Sequence, residues 1–385
     1  MVRGGHGRGL GRRCHPHDAT GWAPGGGLRK KPGGRRPVPS YDGRMSTLPA
    51  VRDRVAAVDL PVLNHPDVVR WRAATLEDAP AITRAQKAMD AVDHPDWTTP
   101  LEDVVDELSS SHVDLASDTI LALGADGDVV AWGLTDLSPG RATRVQVYLT
   151  GGVVPAFRGR GLGRVLLAWQ LARGQQLLAT CPEQLPAWLQ VSLDERNTTG
   201  LALAERAGLT VRRWFTSMDR DLAAPVQDVP VPDGVAIVAY SADRAEDARV
   251  ARNDSFRDHW GSQPSQPERW QQFVGGTYFR PDLSQLAVDG EGRILGFALC
   301  TVTPEDFEVQ GYTSSYIGVL GVVREARGRG IAPAILQAVL RATAGAGLER
   351  VVLDVDTASP TGALGLYERS GFVASSRSTT VAIDL

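Results

Sequence analysis

The chain has 385 residues, room for two domains of about 150 residues each. Its 43% hydrophobic and 22% charged residues exclude a disordered, collagen-like or coiled-coil chain. The net charge of −4 is uneven: residues 1–44 carry eight Arg and two Lys against Asp18 and Asp42, +8, which leaves −12 on a body not built to coat nucleic acid.

Cys14, Cys181 and Cys300 are too few and too widely spaced for a disulfide framework or a metal-ligand pair. No run of about 20 apolar residues is present, and no apolar stretch follows the basic N-terminus. A cytoplasmic protein with no metal, no membrane partner and no nucleic-acid partner is expected, as a monomer or homodimer.

Residues 1–44 hold twelve glycines and short basic runs, too little apolar matter to offset the entropy of ordering. They read as a disordered extension, with Met45 as an alternative first residue. From Trp71 the texture is globular. Thr75-Leu76-Glu77-Asp78 has the spacing of a capped helix start, continuing to Met89. Leu101, Val104, Val105 and Leu108 form a second helical stripe. Residues 119–125 and 129–137 predict a hairpin turned at Asp126-Gly127. A β-rich run at 144–154 then leads into a glycine-rich turn and an apolar helix at 162–178.

Residues 223–234 contain three prolines and read as a semi-rigid linker. The pattern then recurs: a hairpin at Glu291-Gly292, a strand at 316–323, a glycine-rich turn, a helix at 331–344, a strand at 350–356 and a short helix at 361–370. Residues 154–163 match 323–332 at an offset of 169, and Leu203–Leu209 match Leu366–Phe372 at 163. Two elements repeating in the same order indicate a duplicated domain, with units at 69–222 and 235–385.

The repeated element, a strand then Arg-x-x-Gly-x-Gly/Ala then a helix, is a cradle for an anion. Glycines let backbone N–H groups approach a phosphate, and the helix N-terminus adds partial positive charge. In the second copy this is Arg327, Gly328, Arg329, Gly330, Ile331 and Ala332; in the first, Arg158, Gly159, Arg160, Gly161, Leu162 and Gly163. The chain has no Gly-x-x-x-x-Gly-Lys-Ser/Thr run, and neither copy has a dinucleotide-type Gly-x-Gly-x-x-Gly near a chain start.

Both halves resemble the GNAT-type N-acetyltransferase superfamily, through the loop after Leu320-Gly321-Val322-Val323 and the run Leu366-Tyr367-Glu368-Arg369-Ser370-Gly371-Phe372. The resemblance implies an α/β fold of two tandem acyl-CoA N-acyltransferase domains, each a mixed, mostly antiparallel sheet flanked by helices. It implies acetyl-CoA as co-substrate, lying between two splayed strands with its pantetheine along Leu320, Gly321 and Val322, and along Val153 and Val154 in the first half. An acceptor amine attacks the thioester, and Tyr367 matches the family tyrosine that protonates the leaving thiolate. Ala204 takes its place in the first half, so the second half is expected to turn over.

An alkylammonium of pKa about 10.4 must lose a proton before attack. Residues 316–323 hold no carboxylate, so a water relay is expected ahead of Glu308 or His259. Asn197 stands near the place where many members carry Asn before the short helix; the second half has Ser359-Pro360-Thr361 there. Asp258, His259 and Trp260 fall where this family places its acceptor-binding loops, and His94-Pro95-Asp96-Trp97 is the matching stretch of the first half.

A small-molecule primary amine is the expected acceptor. The two-half layout is also similar to the mycothiol synthase family, which acetylates a cysteinyl amine on an inositol-glucosamine scaffold. The run Asp258-His259-Trp260-Gly261-Ser262-Gln263-Pro264 replaces that family's His-Pro-Glu-Gln-type run. That acceptor is therefore ranked behind a general amine. A non-catalytic acyl-CoA-binding module is the reading from another class.

Overall fold

A computed structural model describes residues 48–56, 58–257, 259–358 and 362–385. The basic extension at 1–44 and Met45 lie outside these residues, as do Asp258 and Ser359-Pro360-Thr361.

The first half opens with the short helix α1 (Val51–Arg54) and the edge strand β1 (Arg70–Arg72). A single 3-10 turn at Leu76–Asp78 then starts α2 (Ala79–Asp93). Asp78 accepts from the Thr75 N–H at 2.8 Å and from both Arg72 Nη atoms at 2.6 Å. It thereby satisfies an orphan donor at the helix start, as the Thr75–Asp78 spacing implied. There follow α3 (Leu101–Ser109), α4 (Leu115–Asp118), β2 (Thr119–Leu123), β3 (Val129–Leu137), β4 (Val145–Val153), α5 (Leu162–Leu178), β5 (Ala187–Asp194), α6 (Thr198–Arg206) and β6 (Thr210–Asp221).

The second half repeats the order: β7 (Val235–Ala239), α7 (Ala245–Ser255), α8 (Pro267–Val274), β8 (Gln285–Asp289), β9 (Ile294–Thr301), α9 (Glu305–Gln310), β10 (Ser314–Val322), α10 (Ile331–Gly345), β11 (Arg350–Asp356), α11 (Ala363–Arg369) and β12 (Val373–Asp384). Gly127 (φ 81°) and Gly292 (φ 80°) turn the two hairpins, conformations that an L side chain rarely adopts.

All twelve strands form one sheet, ordered β1-β2-β3-β4-β5-β12-β6-β11-β10-β9-β8-β7. Pairing is antiparallel except for β4 with β5 and β10 with β11. The centre holds a feature the local patterns did not reveal: the halves exchange their last strands. β6 of the first half lies between β12 and β11, and β12 of the second lies between β5 and β6. The β6–β12 register runs from Thr210↔Ala382 to Asp219↔Val373. Each end pair maps onto the other at the 163-residue offset, so a local two-fold passes between these strands.

Side chains alternate across every strand. In the second half Val351, Leu353 and Val355 of β11 and Met218 of β6 join Leu336 and Leu340 of α10 in the largest core cluster. The even-numbered residues of β11 therefore face the other side of the sheet.

Candidate active site

Both parallel strand pairs part halfway along. β10 and β11 are paired from Ser314↔Arg350 to Ile317↔Leu353, and β4 and β5 from Val145↔Ala187 to Tyr148↔Gln190. Beyond these points each first strand keeps only its antiparallel neighbour, which leaves an open backbone edge inside a V. Leu320, Gly321 and Val322 stand on that edge in the second half, and Val153 and Val154 at its end in the first.

The two edges differ. β10 carries a bulge at Gly318, where Ile317 and Val319 oppose consecutive residues Cys300 and Leu299. A bulge adds a residue to one strand and re-aims its backbone groups. β4 has no register break against β3; its kink is Gly151, at φ 106°, where a Cβ would lie 2.2 Å from the Trp132 carbonyl oxygen. Buried Gln170 of α5 donates to the carbonyls of Leu134 (3.1 Å) and Thr150 (2.8 Å) at that kink.

Each V ends in the loop read as an anion cradle. Gly328 (φ 75°) and Gly330 (φ 82°) lead into α10, and Gly159 (φ 77°) and Gly161 (φ 95°) into α5. Among the described residues, the N–H groups of Gly328, Arg329, Gly330, Ile331 and Ala332 take no acceptor. Exposed donors at a helix N-terminus form a ready anion site. Gly163 lets α5 approach α6 closely, because a Cβ there would meet Leu203 at 3.2 Å.

The arginines divide between two tasks. Arg327 donates to the Ser255 carbonyl at the end of α7 (2.7 Å), and Arg158 makes a bidentate pair with Asp93 at the end of α2 (2.6 and 2.8 Å). Both therefore fasten the loop to a helix. Arg160 reaches Asp67 at 3.4 Å, and its carbonyl meets His65 Nε2 at 3.0 Å. Arg329 is exposed and without a partner among the described residues, open to a phosphate.

Tyr367 lies on α11, 3% exposed, within the core cluster on the α10 side of the sheet and 5.7 Å from the Phe372 ring. Buried Arg220 of β6 holds the end of this helix. Its guanidinium donates to the carbonyls of Ser370 (2.9 Å), Ala224 (3.2 Å), Pro225 (3.0 Å) and Asp221. In the first half, Ala204 packs in a small apolar cluster with Leu209, Val381 and Ile383. Asn197 caps α6, accepting from the Gly200 N–H at 2.8 Å.

At the centre of the sheet the opposite face is polar and spans both halves. Trp260, in the loop after α7, reaches over it, while His259 lies against Phe256 at the end of α7, 5.4 Å between ring centroids. Trp260 packs on Trp188 of β5 at 4.9 Å, with the Arg213 guanidinium 5.1 Å from its ring and Arg144 between the two indoles' reach. Reciprocally, the first-half loop that stacks His94 on Trp97 (3.6 Å) sends the Thr98 N–H to Asp306 of α9 at 2.9 Å. Each half thus covers the other. Between them lies a cavity of about 140 Å³ whose lining includes Asp136, Gln146, Tyr148, Gln263, Arg269 and Val319. Gln146 is fully buried there, and neither atom of its amide has a partner among the described residues.

Sequence reasoning missed Asp354 of β11, one of two carboxylates on that strand with Asp356. It accepts from the Tyr316 hydroxyl at 2.8 Å and from the Ser217 hydroxyl of β6. Glu308 is exposed on α9. No group of three or more potential metal ligands occurs among the described residues, and no described helix is long and apolar enough to cross a membrane.

A V-shaped strand gap, a glycine cradle at the following helix and a tyrosine on the next one define an acyl-CoA-dependent N-acetyltransferase of the tandem type. The chain belongs to the acetyltransferase (GNAT) family, whose profile matches residues 245–372. It is 32% identical over 314 residues to the mycothiol acetyltransferase of Salinispora tropica, an alignment covering 79% of this chain and 91% of the relative. Among solved structures it is similar to a GCN5-related N-acetyltransferase from Sphaerobacter thermophilus, with TM-score 0.62, 29% identity and coverage of 82% and 95% of the two chains. A tandem GNAT protein from the clavulanic acid biosynthesis pathway shares the fold at TM-score 0.60 and 17% identity, with 82% and 98% covered.

Proposed function

We propose that the second unit, residues 235–385, transfers acetyl from acetyl-CoA to a primary amine of a small molecule by direct attack in a ternary complex. Residues 69–222 form the companion unit, which binds CoA or shapes the acceptor site without turning over. The observation that carries this division is an asymmetry: both cradles are open, but among the described residues the bulged V and a buried tyrosine on the following short helix occur only in the second half. There Gly328, Arg329, Gly330, Ile331 and Ala332 would hold the pyrophosphate, and the edge at Leu320, Gly321 and Val322 the pantetheine. Tyr367 would return a proton to the departing thiolate.

Two features support an acceptor held between the halves. Trp260 reaches across the polar face, and the inter-half cavity presents an amide with unused donors and acceptors. The name of the Salinispora relative supports a second, finer reading, acetylation of the cysteinyl amine of a mycothiol precursor. That amine is the first acceptor to assay.

The test is calorimetric titration with acetyl-CoA, followed by CoA release with a panel of amines. One productive site, with turnover reduced about 10²-fold or more in Tyr367→Phe, is the expected result. Equal losses from Gly161→Glu and Gly330→Glu would overturn the division of labour. Binding without turnover of any amine would leave a non-catalytic acyl-CoA module.

A further inference from the structure

The reaction needs a proton acceptor for the incoming ammonium, and β10 carries no carboxylate. The gap is filled from the other side of the V. Asp354 is the first residue of β11 beyond the last pair with β10, Ile317↔Leu353. Ser315 of β10 meets Thr343 of α10 at 3.0 Å and pairs with Val351, so Val351, Leu353 and Val355 point to the α10 side and Asp354 to the opposite face. Arg220 pairs with Val351 and so lies on the α10 side, where it holds the end of α11 and with it the helix of Tyr367. A thioester in the V would therefore have the tyrosine on one side and this carboxylate on the other.

Its surroundings fix its orientation. Tyr316 of β10 donates to Oδ2 at 2.8 Å and Ser217 of β6 to Oδ1, which fixes the carboxylate with neutral donors alone. The other charges near it are already matched. Asp356, two residues along, is held by Arg213 at 3.0 Å, and Asp219 on β6 by Arg350 at 2.7 Å. Asp356 is fully buried, whereas Asp354 is partly open to solvent. Of the carboxylates on this part of the face, Asp354 is the one that meets no cation among the described residues.

We propose that Asp354 is the general base of the second half, held by Tyr316 and by Ser217 of the exchanged strand; this rests on the acetyltransferase reading above. The carboxylate takes one proton from the acceptor ammonium. The neutral amine then attacks the thioester carbon, the C–N bond forms and the C–S bond breaks. Tyr367 protonates the CoA thiolate, and the second nitrogen proton replaces the one Tyr367 gave. The acetylated product and CoA leave, and Asp354 loses its proton to water.

The test is the pH dependence of kcat/KM with a cysteinyl amide, whose α-amino group has a pKa of about 8, for wild type and Asp354→Asn. Without the base only amine already neutral in solution can react. The variant should be about 10²-fold slower near pH 6.5, and the gap should shrink roughly tenfold or more by pH 9, above the amine pKa. Asp354→Glu should recover part of the loss, and calorimetric affinity for acetyl-CoA should be unchanged in both variants. A deficit of equal size at every pH would overturn the proposal and leave Asp354 a structural hydrogen-bond acceptor. Wild type inactive on every amine would instead remove the acetyltransferase reading, and this proposal with it.

Discussion

Replacing Arg220 tests whether the exchanged strand positions the acid-bearing helix. Arg220 is 6% exposed and has no carboxylate partner; all its acceptors are backbone carbonyls. In Arg220→Met the exposed linker residues Ala224 and Pro225 turn to water, so their loss costs little. The carbonyl of buried Ser370 loses a charged donor, worth about 1.5–3 kcal/mol. A cation also leaves the C-terminal end of α11, worth up to about 1 kcal/mol. The sum is about 2–4 kcal/mol, a fall in Tm of roughly 3–6 °C for a single sheet of this size. Calorimetric melting should show that fall. Steady-state kinetics should show kcat reduced more than KM for acetyl-CoA, because the cradle lies on another helix. A Tm within about 1 °C of wild type, with unchanged kcat, would refute the reasoning.

Three further outcomes are expected. Gly330→Glu forces an L residue into φ 82° and adds a negative charge beside the phosphate cradle; calorimetry should show acetyl-CoA affinity at that site reduced at least about 10²-fold. Gly151→Ala sets a Cβ against the Trp132 carbonyl in a left-handed conformation, so urea unfolding should show a loss of about 1–3 kcal/mol. The Arg72 guanidinium, bonded to Asp78, lowers that carboxyl from 3.8 to about 2. Its contribution is therefore present above its unfolded pKa and lost as pH falls through about 2; Asp78→Asn should flatten the acid limb of the stability profile between about pH 4 and 2.

What was legible in the sequence was what a short window can specify. Gly328 and Gly330 announce a strand-to-helix loop because few other residues tolerate φ near 80°, and the duplication repeats that loop. The Thr75–Asp78 spacing foretold a cap because its hydrogen bonds are local. The strand exchange was not legible, since nothing in Thr210–Asp221 distinguishes pairing with β11 from pairing within its own half. Arg158 and Arg327 stand where phosphate ligands are expected, yet contacts 65 and 72 residues away tie them to a neighbouring helix. Asp354 has no local signature: the resemblance points to β10 for a base, whereas the splay brings β11 to the same point.

The exchange also gives a half with alanine in place of the tyrosine a structural part in the other's site. β6 supplies Phe215 and Met218, both almost fully buried, and Ser217, Arg213 and Arg220, which hold Asp354, Asp356 and the end of α11. It also fills the position between β11 and β12. Residues 235–385 made alone would lack this strand, and β12 would lose β5 as well. Burial of Phe215 and Met218 alone is worth about 3–6 kcal/mol, a large part of the roughly 5–15 kcal/mol that holds a domain together. The fragment should therefore show no cooperative unfolding and no acetyl-CoA binding, and coexpression with residues 48–222 should restore both. A monomeric 235–385 fragment melting near the full chain and binding acetyl-CoA would show that the second half closes its own sheet, and that the strand from the first half is dispensable.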